Sequence, residues 1–168
     1  MQKIGLFFGS DTGVTEEIAE KIQNEFGKDN LEIFDVADAD ASDMEDFSNL
    51  IFGASTQGVG DMQSDFEEFL DEIDSIDFEG KTVAIFGLGD ADTYADTFVD
   101  AIGMIYESLE AKNCKIIGSV STDGYDYDES TAEVDGKFVG LAIDEDNQDD
   151  LTDERIKTWV AQIKSEFN

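Results

Sequence analysis

Apolar residues in this chain fall into two kinds of run. Ile4 to Phe8, Leu31 to Val36, Leu50 to Ala54, Thr82 to Leu88 and Lys115 to Val120 are short and largely unbroken by polar positions. Such runs predict strands buried on both faces, the habit of a parallel sheet. Between them, apolar positions recur at helical spacing. Val14, Ile18, Ile22 and Phe26 share one face of a helix over 12–26, with Gly27 as its stop. Phe66, Phe69, Leu70 and Ile73 do the same over 64–74, and Phe98, Ile102, Ile105 and Leu109 over 94–112. Ile156, Trp159, Val160, Ile163 and Phe167 mark a last helix over 152–167, with Asp153 and Glu154 suited to its N-terminal dipole. Ala41 to Phe47 predicts a short helix capped by Ser42.

Phe138 to Ile143 is again apolar and strand-like, yet no helix separates it from the fifth run. The polar, Asp- and Gly-rich stretch 121–137 intervenes, which predicts an insertion splitting one strand. Five alternations of strand and helix then give an α/β fold, a parallel sheet covered on both faces. In such sheets ligands sit outside the carboxyl ends of the strands. Three irregular, Gly-containing stretches follow strands: 9–15 after the first, 55–61 after the third and 87–94 after the fourth. They should converge on one edge.

The first stretch, Gly9-Ser10-Asp11-Thr12-Gly13-Val14-Thr15, carries a strand into a helix. The unpaired N–H groups and dipole at a helix start attract anions. A nucleotide P-loop is a poor match, because the two glycines are one residue too close and Val14 stands where Lys is required. No Lys or Arg occurs from Ile4 to Glu20, so a triphosphate with magnesium lacks its cation. A single phosphate monoester can be held by backbone N–H groups and the hydroxyls of Ser10, Thr12 and Thr15. A plain helix cap competes with this reading, since Ser, Asp and Thr all cap well.

Composition narrows the chemistry. The 168 residues, 40% hydrophobic and 11% aromatic, predict one folded domain spanning 1–168. Cys114 is the only cysteine and there is no histidine, so disulfide frameworks, Cys-ligated clusters, His metal sites and His-based triads are excluded. No apolar run reaches membrane-spanning length, and a cytoplasmic setting is expected. Forty-two acidic residues against ten basic ones leave a net charge of −32. Nucleic acid and anionic membranes should repel such a surface, and basic protein partners should be drawn to it.

The chain resembles a long-chain flavodoxin of the cyanobacterial and algal type. Ser10-Asp11-Thr12-Gly13-Val14-Thr15 matches the family's phosphate loop, and Ser55-Thr56-x-Gly58 and Gly87-x-Gly89-Asp90 with Tyr94 match its two flavin loops. Residues 121–125, 136–141 and 144–148 also resemble long-chain members. The resemblance implies a three-layer fold with a five-stranded parallel sheet in the order 2-1-3-4-5. It implies non-covalently bound FMN in contact with Ser10, Asp11, Thr12, Gly13, Val14 and Thr15 at the phosphate. It further implies contacts from Ser55, Thr56, Gln57, Gly58, Val59 and Gly60, and from Leu88, Gly89, Asp90 and Tyr94, with Thr97, Val99 and Asp146 completing the set.

On this resemblance the protein is an electron carrier, not an enzyme, monomeric, and able to substitute for ferredoxin. Implied partners are ferredoxin–NADP reductase, photosystem I or other ferredoxin-dependent enzymes; the setting would be the plastid stroma if the source were an alga. The Gly58 carbonyl would turn to a reduced flavin and stabilise the neutral semiquinone. Acidic neighbours such as Asp90 would oppose the hydroquinone anion; each ~1.4 kcal/mol lowers a one-electron potential by about 59 mV. Relatives usually carry Trp where this chain has Gln57, which implies a more exposed ring and weaker binding, a loss of about 0.5–1.5 kcal/mol beyond area. An FMN-dependent quinone reductase on the same fold is the alternative, although the chain shows no nicotinamide-site motif. A phospho-acceptor receiver domain would need acidic residues where Gly9-Ser10 and Ser55-Thr56 stand.

Overall fold

The computed structural model describes residues 1–168. Strands β1 (Ile4–Gly9), β2 (Leu31–Asp35), β3 (Asn49–Gln57) and β5 (Thr82–Leu88) form a parallel sheet in the order β2-β1-β3-β5. β4 (Asp61–Met62) folds back antiparallel on the end of β3. Two short strands share the free edge of β5: β6 (Lys115–Ile117) pairs with Thr82–Ala84, and β10 (Leu141–Ile143) with Phe86–Leu88. They are the two halves of one split fifth strand, so the expected strand order and the insertion both hold. Between them, β7 (Val120–Ser121), β8 (Glu133–Val134) and β9 (Lys137–Phe138) make a small antiparallel sheet in the order β7-β9-β8.

The strand runs lack polar alternation because both faces of the sheet are covered. Ile4, Leu6 and Phe8 of β1 point into a cluster with Ile18, Ile22, Ile156, Trp159 and Ile163, from helices α1 (Val14–Phe26) and α4 (Glu145–Lys164). Phe7 points the opposite way, toward Phe52, Phe66 and Phe69, beside helices α2 (Ser64–Glu72) and α3 (Asp100–Glu110). There Phe7 stacks on Phe34 at 4.6 Å and on Phe69 at 5.6 Å between ring centroids. Burying each such side chain contributes about 1.5–3 kcal/mol.

Several boundaries differ from expectation, each for a local reason. The stretch 94–99 is not helical. Val99 takes a left-handed φ of 47°, and α3 begins only at Asp100. The preceding backbone is bonded to the insertion: Asp128 and Glu129 N–H donate to Ala95 O at 2.9 and 3.0 Å, and Phe98 N–H donates to Glu129 O at 3.3 Å. Phe98 keeps its expected inward place, among Tyr125, Tyr127 and Phe138. The turn at Ala41–Asp46 is a 3-10 helix whose N-cap is Asp40, not Ser42; Asp40 N–H donates to Asp43 Oδ2 at 3.0 Å. β6 stops at Ile117 because Gly118 O goes to the Trp159 indole N–H, at 2.8 Å, instead of continuing the ladder. α4 starts seven residues earlier than expected, at Glu145, and kinks at Gln148.

Candidate functional site

The three irregular stretches do converge. They enclose a cleft of about 340 Å³ at the carboxyl ends of β1, β3 and β5, the edge where an α/β sheet takes its ligand. Its lining comprises Asp11, Thr12, Val14 and Thr15 from the first loop, Ser55, Thr56, Gln57 and Gly58 from the second, and Leu88, Gly89, Asp90 and Tyr94 from the third, with Glu145 and Asp146 from α4.

The first loop is built as an open helix terminus. Gly13 occupies the N-cap position of α1, and no side chain caps the helix. Ser10 Oγ accepts from Gly13 N–H at 2.9 Å, which shapes the loop but leaves the first helical N–H groups uncapped by any side chain. The plain helix-cap reading therefore fails, and donors remain for an anion. Ser10 and Gly13 lie behind the lining, while the exposed Thr12 and buried Thr15 contribute hydroxyls to it.

The second loop is a hairpin, with Thr56 paired to Met62 and Gln57 to Asp61. Gly58 at its tip has a φ of 50°, and a Cβ there would meet nothing within 4 Å. Glycine takes this left-handed backbone without the strain a side chain would bring. Val59 stands outside the cleft, 82% exposed, and Gly60 is buried against Thr97 and Asp100. Thr56 Oγ1 accepts from Ala101 N–H at 2.9 Å, tying the hairpin to the start of α3. Of the third loop, Leu88, Gly89, Asp90 and Tyr94 face the cleft. Thr97 sits behind Gly60 and Val99 is wholly buried in the core, so neither side chain lines it.

Charge in the cleft is one-sided. Asp11, Asp90, Glu145 and Asp146 line it, and no Lys or Arg does. Carboxylate oxygens of Asp90, Asp144 and Asp146 lie within 4.8 Å of one another. Desolvation, then the charges of Asp90 and Asp144, raises the Asp146 carboxyl above its ordinary value. Burial also disfavours ionised Asp90. The N–H groups of Thr93 at 3.0 Å and Asp92 at 3.2 Å, with the Asn147 amide at 2.9 Å, outweigh it and hold that carboxyl below its ordinary value. Asp144 is 1% exposed and accepts from Asn147 N–H at 3.2 Å, starting α4. Glu145 and Asn147 were not foreseen as site residues. The acidic run 144–146 at a strand end was the available signal.

Comparison with known proteins agrees with this geometry. The flavodoxin family model matches residues 6–159. A flavodoxin of a Nostoc species is 54% identical over 99% of this chain and 98% of its own length. One from a Picosynechococcus species is 55% identical over 99% of each chain. The crystal structure of Fusobacterium nucleatum flavodoxin bound to flavin mononucleotide superposes with a TM-score of 0.95 at 37% identity, covering 100% of both chains. With its split fifth strand, its open α1 terminus and its three convergent loops, the chain belongs to the flavodoxin family.

Proposed function

We propose that residues 1–168 act as one FMN-binding domain and that the protein is a low-potential one-electron carrier. The carrying observation is the cleft itself, where an uncapped helix start, two hydroxyls and a flanking aromatic face one space free of cations. An uncapped terminus without Lys or Arg suits one phosphate monoester and not a polyphosphate. Bound FMN would supply one-electron chemistry.

The chain's residues divide the remaining work. Backbone N–H groups at 13–15, with Ser10 shaping the loop and Thr12 and Thr15 supplying hydroxyls, would hold the phosphate. Gln57 and Tyr94 would flank the ring, and backbone groups at Val59, Gly60, Gly89 and Asp90 would meet its polar edge. Thr97 and Val99 would act from behind, fixing Gly60 and the start of α3. Gly58, a glycine at a left-handed φ, would offer its carbonyl to a proton held on the ring. Asp11, Asp90, Glu145 and Asp146 would oppose added negative charge and so lower the potential at which a second electron enters. None of these roles needs a general base.

The −32 charge supports redox partners with basic docking surfaces, reductases or photosystem I among them, met by a monomer in the cytoplasm. The test is reconstitution with FMN followed by stepwise anaerobic reduction. A long-wavelength blue band at the one-electron stage, then bleaching, supports the carrier. Direct bleaching would point to a two-electron flavin enzyme, and no bound flavin would refute the reading of the cleft.

A further inference from the structure

Gln57 is not a bare gap in the inner wall of the cleft. Its Nε2 donates to Asp11 Oδ2. The other oxygen of Asp11 accepts from Gln63 Nε2 at 2.9 Å. Gln63 is wholly buried and fixed on every side. Its Oε1 accepts from Phe66 N–H at 2.9 Å, capping α2, its backbone N–H donates to Ser55 O at 3.0 Å, and Nε2 also reaches Asp65 Oδ2 at 3.0 Å. It packs so closely on Gly9 that a Cβ there would lie 2.1 Å from Gln63 Oε1. One carboxylate thus joins an immobile amide to a cleft-lining amide, across 46 residues of sequence.

We infer that Asp11 is a positioning residue of the cleft: its carboxylate straps the 10–15 loop to the β3–β4 hairpin through Gln57 and Gln63, setting the inner wall before a ligand arrives. The inference rests on the reading of the cleft as a flavin site. Two acceptor oxygens serve two amide donors, an arrangement open to a carboxylate and closed to an apolar side chain at either position. Both amide bonds are charge-assisted. The strap also carries a cost, because it keeps a negative charge in the loop proposed for a phosphate. Riboflavin, which has no phosphate, therefore reports the strap free of that repulsion.

Two measurements test it. In the apoprotein, NMR of side-chain amides should place the Gln57 NH2 signals away from the free-glutamine position, and Asp11→Ala should return them to it. In binding, Asp11→Ala should weaken riboflavin by roughly fivefold, the cost of ordering the freed Gln57 side chain when the ligand binds. In a Gln57→Ala background the same change should cost clearly less, since the partner is already gone. Free-glutamine shifts in the wild-type apoprotein, or effects of the two substitutions that simply multiply, would overturn the strap. A wild-type protein that binds neither flavin would overturn the flavin reading instead, and the apoprotein shifts would still decide the strap.

Discussion

Gln57→Trp perturbs the inner wall most directly, and its two effects have opposite signs. An indole lying on a flavin face would cover about half of the ~150 Å² or more that an aromatic side chain buries. At ~25 cal/mol/Å² that contributes about 2 kcal/mol. Ring–ring geometry adds about 0.5–1.5 kcal/mol. Against this, the strap that pre-orders the two loops through Gln57 is lost, an ordering cost of about 1 kcal/mol on binding. Gln63 keeps its bonds to Asp11 and Asp65, so no buried amide is orphaned. The net gain is about 1.5–2.5 kcal/mol, a 10- to 70-fold tightening. Titration of apoprotein into FMN, followed by quenching of flavin fluorescence, measures it. The gain should be the same for riboflavin, because stacking acts on the ring, and larger in an Asp11→Ala background, where no strap remains to be lost. Unchanged or weaker binding of both flavins would refute the placement of residue 57 against the ring.

Other outcomes follow from the same structure. The FMN-to-riboflavin affinity ratio should rise with added salt, because four carboxylates and no cation line the cleft and screening weakens their repulsion of a phosphate; a salt-independent ratio would place the phosphate elsewhere. Melting temperature should also rise with ionic strength, since 42 acidic residues face ten basic ones and only two ion pairs form, Lys3–Glu32 and Lys21–Asp153. Phe98→Ala should destabilise the fold by about 3–5 kcal/mol, and should weaken flavin binding by loosening the segment after Tyr94 from Tyr125, Tyr127 and Phe138. Burial pushes the Tyr125 phenol up to about 12, with its hydroxyl donating to Ala142 O at 2.6 Å. The native state then holds a proton that the unfolded chain releases near pH 10, so stability present below that pH should be lost as pH rises from about 10 to about 12. Tyr125→Phe should flatten that part of the curve.

Much of the fold was legible along the chain. Unbroken apolar runs and spacing-four faces located the strands and the helices, because burial on two sheet faces or on one helix face writes itself into residue order. The span of β5 was foreseen to the residue, and the split fifth strand was visible as an apolar run with no helix before it. The convergence of three loops followed from topology alone. Boundaries were lost where partners distant in sequence decide: the start of α3 depends on residues 128 and 129, and the end of β6 on the Trp159 indole.

The site divided in the same way. Residue types and loop positions announced an anion-attracting helix start, a turn glycine and an aromatic beside it; they did not announce that the second loop is a hairpin. That Thr97 and Val99 stand behind the cleft, that Glu145 lines it and that Asp90 is set by Asn147 came only from packing. So did the strap. Gln57 read along the sequence is a missing ring; in three dimensions it is an amide held by a carboxylate whose other oxygen a buried glutamine holds. Periodicity records which face of an element is buried. The pairing of polar groups depends on distances between elements, and those exist only once the chain has packed.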